Sequence, residues 1–192
     1  MTKGRLEAFS DGVIAILITI MVLELRPPEG QGMSDLHHVA PKLGAYLLSF
    51  VLIGIYWVNH HHLFVLVKRI DGRVLWANLG LLFCLSLVSF ATAWWGEHPG
   101  ATAPAFVYAI VQLLCALAYG VTVQALLRLH PPPSELAEAV KADWKGRVSA
   151  VAYVGAAVAA LFAPWLAIAV IVAVAIAWLI PDRRVSRVVE GG

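Results

Sequence analysis

Arg5-Leu6-Glu7-Ala8-Phe9-Ser10-Asp11-Gly12-Val13-Ile14-Ala15-Ile16-Leu17-Ile18-Thr19-Ile20-Met21-Val22-Leu23-Glu24-Leu25 is the stretch whose reading decides the fold. From Gly12 to Leu23 only Thr19 carries a side-chain hydrogen-bonding group, so the segment reads as a membrane-spanning helix with a charged entrance. Arg5 and Asp11 are costly on the first turns of such a helix. They are expected to face protein or water, to have partners, and so to mark a functional site. At 3.6 residues per turn, Ile16, Ile20 and Leu23 stack on one face. If several copies surround an axis, that face becomes an apolar throat.

A basic start before an apolar run also resembles a secretory signal. Here Asp11 interrupts the run, and Glu24-Leu25-Arg26-Pro27 follows Leu23 where a small-residue cleavage site would stand, so the helix is expected to be retained.

Composition sets the class. The 192 residues are 60% hydrophobic and 14% charged, whereas about a quarter of a soluble domain is charged. The chain is therefore an all-α integral membrane protein with the lipid bilayer as its solvent, a single domain over 1–192 with no room for a sizeable soluble part. A net charge of +2 gives nucleic acid no reason to bind. Cys84 and Cys115 lie inside apolar stretches and behave as small hydrophobes, uninformative about compartment.

Six spans are predicted, at about 4–25, 43–66, 74–95, 104–127, 146–162 and 164–180. Arg26-Pro27-Pro28 closes the first. Gly96-Glu97-His98-Pro99-Gly100 is a turn, and a short helix is possible from Ser134 after Pro131-Pro132-Pro133. From Gly146 to Ile180 the chain is almost wholly apolar for 35 residues. As one helix that would be about 52 Å, longer than a bilayer core of about 30 Å, so it must fold back, with Pro164 as the corner.

Six spans place both termini on one side, and the basic residues choose the cytoplasmic side. Lys3, Arg5, Lys68, Arg69, Arg73, Arg128, Lys141, Lys145, Arg147, Arg183, Arg184 and Arg187 fall inside, twelve of the fourteen Lys and Arg, leaving Arg26 and Lys42 outside. Six of the seven tryptophans lie near span ends, as interfacial rings do; Trp57 alone lies well inside a span.

Depth links three helices. Asp11 lies roughly 10 Å from the inner end of its span. His60, His61 and His62 on the second span and Asn78 on the third fall at a similar level, so these residues and Ser10 share one layer where carboxylate, imidazole and amide can satisfy one another. Consecutive histidines project about 100° apart, so one or two at most face Asp11. A metal site from His60, His61 and Asp11 is disfavoured, since adjacent histidines do not point two donors to one face. A proton relay is chemically easier. Hydrolysis at Ser10 lacks any Gly-x-Ser-x-Gly or His-Glu-x-x-His motif, so no enzyme is expected. A polar clamp fixing the first helix against its neighbours is the favoured reading. The Ile16, Ile20, Leu23 stripe has its own bland alternative, packing or lipid contact. A polar mouth leading to an apolar constriction is nevertheless a coherent ion path that gates by dewetting.

Arg5-x-x-x-Phe9-Ser10-Asp11, followed by Ala15-Ile16 and Thr19, resembles the first-helix signature of the transmembrane protein 175 family, the endosomal and lysosomal potassium channels with bacterial relatives. The resemblance extends through Tyr56-Trp57-Val58-Asn59-His60-His61-His62 and Trp76-Ala77-Asn78-Leu79, close over the first half and by span count beyond. It implies a bacterial six-helix member, a homotetramer in the cytoplasmic (inner) membrane with the first helix lining a central pore. Ile16 would form the main constriction, Ile20 and Leu23 further apolar rings, with Thr19 nearby. Arg5, Phe9, Ser10 and Asp11 would lock the first helix to the second and third, with Trp76 and Asn78 opening the third. Gly12 after the Asp is a small departure, and the family's key histidine stays open between His60, His61 and His62. As in the family, no Thr-Val-Gly-Tyr-Gly filter is present. The expectation is a potassium-permeable cation channel with no cofactor and no metal site, whose ligands are monovalent cations. The alternative is a proton-coupled transporter or proton leak using Asp11 and His60 to His62.

Overall fold

The computed structural model describes residues 2–141 and 144–180, apart from the side chain of Lys141. Arg183, Arg184 and Arg187, counted above with the inner charges, lie outside the described residues, as does the Lys141 side chain. The described chain is all helical: α1 Lys3–Leu23, a 3-10 turn Met33–Asp35, α2 Leu36–Val65, α3 Gly72–Glu97, α4 Thr102–Leu129, α5 Glu135–Lys141, α6 Trp144–Ala160 and α7 Pro164–Leu179.

Helices α1 to α4, α2 counted with its 3-10 turn, are long and apolar enough to cross a membrane. With 17 and 16 residues, α6 and α7 reach about 26 and 24 Å at 1.5 Å per residue. They form the fold-back at Pro164, which opens α7 at its first position, where a missing N–H costs nothing. Hydropathy placed the second span from about 43, but α2 starts at Leu36 and runs 30 residues, about 45 Å. His37, His38, Pro41 and Lys42 interrupt the apolar signal without interrupting the helix, because this end projects beyond an apolar slab of about 30 Å and its side chains can stay hydrated. At the other end of the α2–α3 link, Asp71 caps α3 by accepting from the Val74 N–H at 2.9 Å.

Two apolar clusters hold the bundle. The larger joins Ile14 and Met21 of α1 to Leu52 and Ile53 of α2, Leu81 and Leu85 of α3, Tyr108 of α4, and Ile168 and Ile171 of α7. Ala156, Ala157 and Ala160 of α6 pack in it against α4, which buries Ala105 and Ala109. Without a hydrophobic drive between helices in lipid, such small residues let backbones approach and gain dispersion contacts. The second cluster lies at the N-terminal end of α1 and gathers Leu6, Leu63, Phe64, Val67, Val74, Leu126 and Leu136, so α5 is tucked under the bundle by Leu136.

At the opposite end, Lys42 Nζ donates to Glu97 Oε1 at 3.0 Å, strapping α2 to α3. Gly96 allows it: a Cβ there would come within 3.2 Å of the Lys42 Cα and the Ala45 Cβ. Gly100, at φ 84°, turns the chain into α4 beneath the Trp165 indole. In all this, α1 packs on α2 and α3 along one side and leaves the other uncovered.

Candidate functional site

The polar layer forms around one buried chain of hydrogen bonds. Ser10 Oγ donates to the Leu6 carbonyl at 2.9 Å, Asn78 Nδ2 donates to Ser10 Oγ at 2.9 Å, and Asn78 Oδ1 meets His60 Nε2 at 2.8 Å. An amide oxygen only accepts, so Nε2 carries the proton in this bond. Ser10 and Asn78 have no exposed surface and His60 only 2%, its ring stacked on Phe64 at 4.3 Å. Three helices are thereby tied by groups that satisfy one another away from water.

Among the three histidines it is therefore His60 that joins the layer; His61 and His62 are exposed. The reason is angular: the direction that puts His60 between α1 and α3 turns its two successors about 100° and 200° away. Among the described residues, the hydrogen bond of Asp11 goes to Trp57 and not to a histidine. Its Oδ1 accepts from Trp57 Nε1 at 2.9 Å, beside the chain and on the bundle's surface. Asp11 thus ties α1 to α2 through Trp57, while Ser10, 100° away on α1, points at α3. Trp57, left as the odd tryptophan inside a span, is its partner, and His61 stacks on that indole at 6.3 Å.

Arg5, Phe9 and Trp76 lie outside this hydrogen-bonded set. Arg5 and Phe9 are exposed on the same side of α1 as the apolar stripe, and Trp76 is 77% exposed on α3. The stripe is likewise turned away from its own bundle: Ile16 is 57%, Ile20 45% and Leu23 75% exposed, while Leu6, Ser10, Ile14 and Met21 are buried on the other side. Thr19 Oγ1 donates back to the Ile16 carbonyl at 2.9 Å, which leaves its oxygen lone pairs facing outward. Among the described residues no three His, Cys, Asp or Glu converge as a ligand set.

Other ties carried no sequence signal of comparable strength. Ser49 Oγ meets Thr92 Oγ1 at 2.6 Å and Tyr108 Oη at 2.8 Å, a second buried knot across α2, α3 and α4. Each residue alone reads as an ordinary small or aromatic membrane residue, and only their common depth could have grouped them.

Comparison with known proteins gives the arrangement its context. Residues 5–88, which hold α1, the lock and most of α3, match the family described as endosomal/lysosomal potassium channel TMEM175. A protein of Chryseobacterium sp. named a potassium channel is 47% identical over 187 residues, covering 97% of each chain. The chain belongs to the TMEM175 family. This is a channel family and not an enzyme family. The crystal structure of a lysosomal potassium-selective channel TMEM175 homolog from Chamaesiphon minutus superimposes with a TM-score of 0.79 at 34% identity, covering 92% of this chain and 96% of that one. The Gallus gallus protein named endosomal/lysosomal proton channel TMEM175 is 25% identical over 134 residues, 67% of this chain and 26% of its own length. The TMEM175 chain described here is thus a multi-pass membrane protein with the fold of a channel.

Proposed function

We propose that the protein is a potassium-permeable cation channel of a bacterial cytoplasmic membrane, a homotetramer in which four α1 helices surround the pore. One observation carries the reading. The face of α1 bearing Ile16, Ile20 and Leu23 is left uncovered by its own bundle, directly beyond the buried lock that fixes the helix's rotation. The relatives named potassium channels support potassium as the permeant ion, with no cofactor.

In this assembly Ile16 is the narrowest ring, Ile20 and Leu23 continue the apolar neck, and Thr19 offers hydroxyl oxygens beside it. Isoleucine supplies no ligand to replace an ion's water, so the neck acts by size and by the cost of wetting. The Ser10–Asn78–His60 chain and the Trp57–Asp11 bond hold α1 at the angle that aims the stripe at the axis. Arg5, Phe9, Trp76, His61 and His62, unengaged by that chain, meet neighbouring copies or the aqueous mouth, where an intramembrane guanidinium finds partners.

The six-span topology with cytoplasmic termini completes the proposal. Being shorter than a core of about 30 Å, α6 and α7 span without tilt, with the flanking Trp144, Trp165 and Trp178 at the interfaces and the bilayer thinned locally. Proton permeation is the second reading, favoured by the names of the vertebrate relatives and by the surface position of Asp11. Reconstitution in planar bilayers under opposed potassium and proton gradients separates the two. A reversal potential that tracks potassium supports the channel; one that tracks pH rejects it in favour of the proton path.

A further inference from the structure

His130, the first residue beyond α4, is bonded from both sides of its ring. Nδ1 lies 3.0 Å from the Leu126 carbonyl oxygen, and Nε2 lies 3.3 Å from the backbone nitrogens of both Lys68 and Arg69. A carbonyl only accepts, so Nδ1 bears a proton. Two backbone N–H groups only donate, so Nε2 must present a bare lone pair. The contacts fit one protonation state, the neutral ring with its proton on Nδ1. Around it, Arg69 Nη2 donates to the Leu129 carbonyl at 3.3 Å and Ser134 Oγ donates to the His130 carbonyl at 2.9 Å. The α2–α3 link, the end of α4 and the start of α5 are knotted at this ring.

We propose that His130 is a pH-operated clasp: neutral, it holds the α2–α3 link against α4, and a proton on Nε2 releases the link. The added N–H would confront two N–H groups that cannot reverse polarity, because both belong to the backbone. Both bonds are lost, and the Lys68 and Arg69 amides must turn to water. Among the described side chains, the charged ones of the segments that meet here are Lys68, Arg69 and Asp71 on the link, Arg73 on α3, Arg128 on α4, and Glu135 and Glu138 on α5. The link closes α2 to α3, the helices that supply His60 and Asn78, so its release loosens the hinge of the grip on α1. Control by cytoplasmic pH rests on the topology proposed above; the clasp does not.

Hydrogen exchange on the intact protein in lipid nanodiscs tests the clasp. After correction for intrinsic chemistry, the Lys68 and Arg69 amides should lose roughly tenfold in protection between about pH 7.5 and 5.5. His130→Gln, which offers an oxygen near the Nε2 position and does not titrate, should abolish that pH dependence. Unchanged wild-type protection, or a loss that persists in His130→Gln, overturns the clasp. If the variant does not fold, ring-nitrogen NMR of the wild type decides, since a proton on Nε2 near neutral pH refutes the assignment.

Bilayer recordings with one chamber acidified at a time then test the regulation. Acid on the cytoplasmic face should change the potassium current reversibly by roughly twofold or more in wild type and not in His130→Gln. The same change from the opposite side would overturn the topology and leave the clasp standing. No change from either side overturns the regulatory role.

Discussion

Asn78→Leu removes the central member of the lock while keeping the number and branching of its side-chain heavy atoms, and the structure says where the loss falls. Two interhelical hydrogen bonds disappear, to Ser10 and to His60. In a membrane each is worth on the order of 0.6 to 1 kcal/mol, together about 1 to 2. The residues left behind are not equivalent. Ser10 keeps its bond to the Leu6 carbonyl, whereas His60, 2% exposed, loses the hydrogen bond that Asn78 gave it. A buried orphaned imidazole N–H adds about 1 to 3 kcal/mol, for a total of roughly 2 to 5. His60→Leu in the Asn78→Leu background should recover much of the orphan cost, giving a coupling of about 1 kcal/mol or more. Reversible SDS unfolding of the four proteins of this cycle, followed by far-UV circular dichroism, measures it. If the two substitutions add to within about 0.5 kcal/mol, the His60–Asn78 bond is not part of the lock.

Three further outcomes follow from the same geometry. Ile16→Asn should raise conductance and reduce discrimination between potassium and sodium, whereas Val22→Asn, set 100° around the helix from Leu23, should do much less; recordings at matched expression that show the reverse would put the pore on another face. Trp57→Phe should lower the yield of the proposed tetramer on size exclusion about as much as Asp11→Ala, because each removes one partner of the same charge-assisted bond, worth roughly 1.5 to 3 kcal/mol; a normal yield from Trp57→Phe alone would show that Asp11 is held by something else. Gln112, fully buried on α4 with neither side-chain heteroatom bonded, should be replaceable by Met with a gain of about 1 to 3 kcal/mol in the same SDS assay, and a loss instead would mean that ordered water satisfies it.

How far the sequence could be read depended on whether a signal was local. The α1 entrance was legible because charge in an apolar run has few meanings, and the fold-back at Pro164 because a helix cannot be longer than its bilayer without a reason. The length of α2 was not legible. Hydropathy detects where apolar side chains end, and the helix runs on through His37 to Lys42 beyond that point. The choice of His60 was not legible either, since three identical neighbours differ only in azimuth, which is set by where α3 lies.

Asp11 shows what a layer argument can and cannot deliver. Common depth grouped Ser10, Asp11, the histidines and Asn78, and hydrogen bonds do join Ser10, Asn78 and His60, but depth carries no angle. Ser10 and Asp11 are adjacent in sequence and 100° apart in direction, so one enters the three-helix interior while the other meets Trp57 at the surface. A test for angle existed in the sequence. Trp57 and His60 are three residues apart and His61 is four from Trp57, so the indole and the imidazoles occupy neighbouring positions on one side of α2. An indole inside a span needs an acceptor for its N–H as surely as a carboxylate needs a donor, and Asp11 is the acceptor of matching depth. Pairing unsatisfied donors with unsatisfied acceptors, level by level, would have joined them before any coordinates. It would not have found the clasp at His130, whose partners are backbone amides of a link that no side-chain pattern announces.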